Sequence, residues 1–465
     1  IPPPNSPIHF DILRHWLHDC DAHHPLCRPI ARNATSRPPT RLVETTPGPA
    51  PRYLALSHPW GDPPHFCTVP ANLSKNLTRL PVESPLFPAT FRDAIAVTRE
   101  LDLPYLWIDS LYIVQGPGGD FDAEAQRMED VLAASGAKAQ TDGFLRGERH
   151  EREMVKLRAG KDGSSGLWVG PFVDDFGAQV LQSPLSKRGW LLQERALARR
   201  TIYFTGWQAY WECGEAVRCE TMTRVKLASF LGDPNFPSKV SGKLADRGEK
   251  IRFYEDIYRQ YSRLDFTRIT DRSVAILGLE QRMVRDFKAW GGYGVLDDKS
   301  SSLLPRSLLW RRTDPEEGLK PLRRILPEGQ LPSWSWMAYD GPIDYLDVPF
   351  GEVDWSEGDI GSPWSGDGTA PGELRIAGRP FLKEPVVLDS EQDFELVLDD
   401  ENATTEHWES WRCMTAGRRK AKALSLAKRT LYILIITQVP SRSGADESSW
   451  ERIGVGMMSG EFIGD

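Results

Sequence analysis

Two apolar runs of four residues, Tyr53 to Leu56 and Tyr105 to Ile108, flank a single helical segment, and this arrangement constrains the fold more than any other feature of the chain. Each run is too short for a helix, and each stops abruptly at turn residues: Ser57, His58, Pro59, Trp60 and Gly61 after the first, Asp109 after the second. Between them Phe91, Ala94, Ile95, Val97 and Leu101 recur on or near one helical face. Thr90 with Asp93 supplies a capping signal, and Pro104 helps to end the helix. Strand, helix, strand with short connections predicts two parallel strands joined by a right-handed crossover, and hence an α/β fold.

The rest of the chain is organised around this unit. Residues 1–50, rich in Pro and His, form a packed lead-in with Phe10, Leu13, Trp16 and Leu17 at helical spacing. After Asp109 a second helix is expected from Asp122 through Glu124, Met128 and Val131. The charge-dense stretch from Arg146 to Arg158, followed by a Gly and Ser loop at 160–166, predicts a solvated excursion. Apolar order resumes with a helix over Trp190 to Leu197, a strand over Thr201 to Thr205 and an aromatic segment from Trp207 to Trp211. A boundary near residue 235 separates the 51–235 domain from a C-terminal α+β, β-rich part over 236–465. Its helical patterns near Tyr254 to Leu264 and Val274 to Met283 precede short strands at Leu374 to Ile376, Phe394 to Leu398, Leu431 to Val439 and Ile453 to Met457. Strand alternation in Trp334, Ser335, Trp336 would place both indoles, buried, on one face.

Composition removes several function classes. With 40% apolar and 26% charged residues and 16 Trp, 18 Phe and 12 Tyr in 465 residues, the chain can bury a large core. Lys plus Arg number 57 against 65 Asp plus Glu, a net charge of −8 that lacks the footprint of a nucleic-acid-wrapping protein. No apolar run is long enough to span a membrane, and no signal peptide is visible. Six Cys are too sparse for a disulfide scaffold and fit a reducing cytosol. The glycosylation triplets starting at Asn33, Asn72, Asn76 and Asn402 are read as chance matches in a Ser- and Thr-rich chain.

In order along the chain, YLALSHPWGD (53–62), TFRDAIAVTRELDLPYLWIDSLYIVQG (90–116), DAEAQRMEDV (122–131), PLSKRGWLLQERALARRTIYF (184–204) and YWEC (210–213) resemble the fungal heterokaryon-incompatibility (HET) domain. LPSWSW (331–336) is similar to a segment that often follows it. The resemblance implies a role in fungal non-self recognition and programmed cell death, a cytoplasmic location, and protein partners or self-association. HET domains are considered distant relatives of the TIR domain, so it also implies a TIR-like, flavodoxin-like parallel core. Two departures stand out: Tyr112 occupies a position where the family usually has Cys, and a short stretch usual in the family is missing between Val131 and Leu132.

Some TIR members cleave nicotinamide from NAD and place the catalytic Glu four residues after a Trp on a helix, the spacing of Trp190 and Glu194 here. One helical turn sets an aromatic wall and a carboxylate on the same side, suited to packing a ribose or nicotinamide while a negative charge steadies an oxocarbenium-like centre. The resemblance thus implies Glu194 as a candidate catalytic residue and NAD as its candidate substrate. In the competing reading, Trp190 anchors the helix and Glu194 pairs with Arg195, Arg188 or another cation. Ligands of open parallel sheets sit beyond the carboxyl ends of strands, so Ser57, Trp60, Asp109, Trp190 and Glu194 are expected around one cleft. Alternatively, Ser57 and Asp109 do turn and capping work, with Asp109 paired to Arg92 or Arg188. A non-catalytic interaction module remains the alternative function.

Other motifs carry less. No GxSxG elbow surrounds Ser57 and His58, and no GxGxxG or Walker lysine loop occurs, which argues against serine hydrolases, Rossmann cofactor sites and P-loop ATPases. Cys20, His23, His24 and Cys27 form the one metal-like spacing, but no second knuckle follows and no metal centre is predicted. The cations from Arg418 to Arg429 read as a solvated flank of the strand at Leu431.

Overall fold

The computed structural model describes residues 1–25, 27, 40–44, 52–120, 142–146, 149–150, 154–159, 166–225, 247–299, 302–314, 321–324, 331–355, 359–364, 374–384, 388–389, 394–400, 406–420, 430–439 and 449–463. They divide into two compact units, Ile1–Val240 and Ser241–Asp465. The helix expected at Asp122 to Val131 and the residues around its end lie outside those described, as do the cations at 422–429 and the triplets at Asn33 and Asn402.

In the first unit, α1 (Pro7–His23) begins at Ser6, whose hydroxyl accepts the His9 N–H. Pro7 suits the first helical turn, where its missing N–H has no acceptor to lose. The helix buries Phe10, Leu13, Trp16 and Cys20, and the Trp16 ring lies 6.5 Å from that of Trp211. β1 (Tyr53–Leu56) and β2 (Tyr105–Ile108) pair in parallel with Leu56 opposite Ile108. Among the described residues this parallel sheet holds two strands. Leu56 and Ile108 share a core with Phe87, Phe91 and Ala94. The short helix α2 (Leu73–Thr78) buries Asn76, whose amide donates to Thr68 Oγ1 at 3.1 Å, so this triplet offers no room for a glycan.

The capping expected of Thr90 and Asp93 is not what they do. α3 (Ala89–Glu100) starts at Pro88 without a side-chain cap. Thr90 Oγ1 instead accepts Gly143 N–H at 3.1 Å, and Asp93 Oδ2 accepts the N–H groups of Phe144 and Leu145 at 2.7 and 2.9 Å. Both side chains are buried, and the returning chain supplies donors that would otherwise stay unsatisfied. Removing Asp93 would orphan two such donors. Asp93→Ala is therefore expected to cost about 2–3 kcal/mol in urea unfolding.

The excursion after Arg146 contains an antiparallel pair, β3 (Val155–Ala159) and β4 (Gly166–Val169), where solvated loop is expected. Its outer character is retained, since Met154, Val155 and Val169 are exposed. Then α5 (Gly189–Leu197) leads into an antiparallel sheet of β5 (Arg200–Phe204), β6 (Ala209–Cys213), β7 (Ala216–Cys219) and β8 (Arg224–Val225). The strand expected near Thr201 is thus one arm of a hairpin, because Tyr203 faces Tyr210 across a tight turn.

The second unit pairs helices with a seven-stranded sheet in the order Val353–Asp354, Arg412–Arg419, Thr430–Val439, Ser449–Ser459, Phe394–Leu398, Leu388–Asp389, with Arg379–Pro380 also on Arg412–Arg419. Every pairing is antiparallel. α6 (Arg247–Ser262) buries Tyr254, Tyr258 and Tyr261 at helical spacing. Trp334 and Trp336 are both buried, but a 3-10 turn at Trp336–Ala338 replaces the expected strand. Trp334 packs 6.1 Å from Trp364, whereas Trp336 packs 5.3 Å from Tyr258. Ser335 sets this divergence by accepting Met337 N–H and donating to the Tyr293 carbonyl. Gly294 has a positive φ of 78°, and a Cβ there would lie 2.1 Å from the Trp336 indole nitrogen.

Glu280, on α7 (Leu277–Phe287), accepts the Tyr258 hydroxyl at 2.8 Å and Gly294 N–H at 2.7 Å. Burial pushes its carboxyl up from 4.5 to about 7. Because the folded value lies above the unfolded one, protonation favours folding. The contribution is full below about pH 4.5 and is lost as pH rises through about 7, a span of roughly 3 kcal/mol. Glu280→Gln retains the acceptor oxygen and is expected to flatten that part of the stability profile, which urea midpoints near pH 5 and near pH 8 would reveal.

Candidate functional site

The in-register pairing of Leu56 with Ile108 decides the geometry of the site. Both strands run the same way, so the residues that follow, Ser57 and Asp109, leave the sheet at its carboxyl edge. After β1 the chain turns through Ser57 and His58. After β2, Asp109 opens a one-turn helix, α4 (Asp109–Tyr112), and accepts Ser110 N–H at 2.7 Å. Its other oxygen accepts the indole N–H of Trp60 at 2.8 Å. Trp60 in turn meets His65 edge-on at 5.3 Å.

α5 brings Glu194 to this edge. The carboxylate tip is buried, the residue as a whole is half-buried, and Oε2 has no hydrogen-bond partner. Desolvation raises its pKa. A hydrogen bond from Ser57 and the charge of Arg188 oppose that shift, and the charge of Asp109 adds to it. Arg188, just before α5, donates to the His58 carbonyl at 2.9 Å and so ties the helix start to the turn after β1. Trp190 is half-buried one helical turn before Glu194.

Ser57, Asp109 and Glu194 are thus close enough to influence one another electrostatically, and Trp60 joins them through Asp109. The cations named in the competing readings are engaged as follows. Arg195 makes a two-pronged bond to Glu212 at 3.0 and 2.9 Å, and Arg92 donates to the carbonyls of Val82 and Ser84.

His58 follows Ser57 in the turn after β1. It is buried and stands edge-on to Phe91 at 5.2 Å. Desolvation lowers its pKa, against a weaker upward pull from Asp109, whose Oδ1 is 3.9 Å from Nδ1. A buried imidazole held toward its neutral form beside the Asp109 carboxylate can take or hold a proton. At the position of the family's usual Cys, Tyr112 stacks obliquely on Trp107 at 5.7 Å and offers no thiol.

Residues 53–194 match the family model for heterokaryon incompatibility protein (HET). The chain carries a HET domain. The match opens on the first residue of β1 and closes on Glu194, so Ser57, Trp60, Asp109, Trp190 and Glu194 all fall within the HET domain. No curated protein and no solved structure matches the chain. No described helix is long and apolar enough to cross a membrane.

A separate group of possible metal ligands, Cys20, His24, Cys27 and Cys213, lies in the first unit but shares no residue with this edge.

Proposed function

We propose that the protein acts in fungal non-self recognition as a cytoplasmic effector or sensor of programmed cell death, and that its HET domain cleaves NAD at Glu194 after self-association or partner binding. One observation supports this reading above the others: a buried carboxylate with a free oxygen, held by Ser57 beside Arg188 and Asp109 at the carboxyl edge of a parallel strand pair. In the reaction, the bond between ribose C1′ and the nicotinamide nitrogen breaks and its electron pair neutralises the pyridinium. The ionised Glu194 steadies the oxocarbenium-like centre. Water then adds at C1′ and loses a proton, so NAD and water yield ADP-ribose, nicotinamide and a proton. Trp60 and Trp190 would wall the ring.

The test is to incubate the purified full chain with NAD, with and without induced self-association, and follow nicotinamide release by chromatography. Release that depends on Glu194 supports the reading. No release in either state, from a protein that still triggers death in a fungal host, overturns it.

A second reading, a non-catalytic interaction module, is favoured by the highly exposed Leu86 and Phe172 of the first unit. On that reading Leu86→Asp and Phe172→Asp abolish host killing while Glu194→Gln spares it.

A further inference from the structure

We propose that Cys20, His24, Cys27 and Cys213 bind a structural zinc ion that fastens the end of α1 to the end of β6. One ligand atom from each residue lies within 4.8 Å of all the others. A tetrahedral zinc with Zn–S near 2.3 Å holds its sulfurs about 3.8 Å apart, so small side-chain adjustments close the site. All six cysteines of the chain are free thiols.

The ligands come from a compact knuckle and one distant strand. Cys20 lies in the last turn of α1, and His24 is its C-cap, with its N–H bonded to the Cys20 carbonyl. Four positions of helical spacing put Cys20 and His24 on one face. A turn then returns Cys27, whose N–H donates to the His24 carbonyl at 3.0 Å. Cys213 ends β6, at the hairpin into β7, and its Sγ is 3.4 Å from His24 Nδ1. The second knuckle missing from the local sequence is thus supplied by one residue from across the fold.

His23 takes no part: its Nδ1 faces Asp19 at 2.9 Å on the exposed side of α1.

Ligand type selects the metal, since three soft thiolates and an imidazole suit zinc and exclude the hard cations that prefer oxygen. Four protein ligands fill a tetrahedron and leave no position for water or substrate. The three cysteines are 1% exposed, which assigns the ion a structural role. Three thiolates around a dication carry one net negative charge. Arg200 stands beside it, donating from Nη2 to the Cys27 carbonyl at 2.8 Å and to Asp21 at 2.6 Å.

Zinc measured by plasma mass spectrometry on the purified full chain is expected near one ion per molecule. His23→Ala and Cys413→Ser should keep it, whereas His24→Ala and Cys213→Ser should lose most of it. Should those two variants fail to fold, cobalt replaces zinc in the unaltered chain, and thiolate-to-cobalt charge transfer with tetrahedral d–d bands reports the site directly. Folded protein with far less than one metal ion and no such bands, retention of metal by Cys213→Ser, or a disulfide between any two of Cys20, Cys27 and Cys213 overturns the proposal.

Discussion

Glu194→Gln is expected to lower nicotinamide release from NAD by a factor of about 10²–10³, the usual effect of removing one preorganised electrostatic group from a transition state. The fold should survive. Burial raises the pKa of this carboxyl above its ordinary 4.5, so the protonated form favours folding, and the contribution is lost as pH rises through the raised value. A neutral amide is therefore expected to leave stability at pH 8 unchanged or improved, as happens when a strained active-site charge is removed. On the proposed NAD reading the same shift sets a pH profile: cleavage would need the ionised form and is expected to rise with pH through an apparent pKa above 4.5. Ser57→Ala removes a hydrogen bond to the carboxylate and should move that limb to higher pH. A rate unchanged in Glu194→Gln, measured on folded protein, would remove Glu194 from the chemistry.

The largest stability effect is expected in the second unit, at Arg452. Its guanidinium is 2% exposed and binds both oxygens of the buried Asp399 at 3.0 and 3.1 Å. It also donates to the Leu308 and Trp310 carbonyls and lies 3.3 Å over the Trp310 ring. Burial raises the pKa of Asp399 and lowers that of Arg452, and each offsets part of the other's desolvation. Arg452→Met leaves Asp399 without its cation and frees two buried carbonyls, a loss of about 3–5 kcal/mol in equilibrium urea unfolding. Changing Asp399 to Leu in the same chain should recover much of it, since the orphaned charge is the main penalty. A double variant no more stable than Arg452→Met alone would show that the carbonyl and ring contacts dominate instead.

The fold was legible where it depends on local periodicity. The helical face of Phe10, Leu13 and Trp16, the two short strands around α3 and the helix at Trp190 can be read from spacing alone, because burial of one face demands that spacing. The parallel direction of β1 and β2 follows from the same order, and with it the emergence of Ser57 and Asp109 at one edge. What spacing cannot supply is a partner from elsewhere in the chain. Thr90 and Asp93 carry a capping signature, yet backbone N–H groups at 143–145 claim them, since an unsatisfied N–H inside the fold costs more than a missing cap. Trp334 and Trp336 alternate like strand residues, but Ser335 turns the backbone and sends the two indoles to different neighbours.

The same division runs through the candidate sites. Sequence by itself determined that Trp190 and Glu194 share a helix, that Ser57 and Asp109 end strands, and that Cys20, His24 and Cys27 lie within one knuckle. Only the tertiary structure decided that Trp60 bonds Asp109, that Arg195 answers Glu212, and that Cys213 closes on His24 across 189 positions of chain. Local spacing records the turns of a backbone; contacts of that range are set by how strands and helices pack to bury their apolar faces.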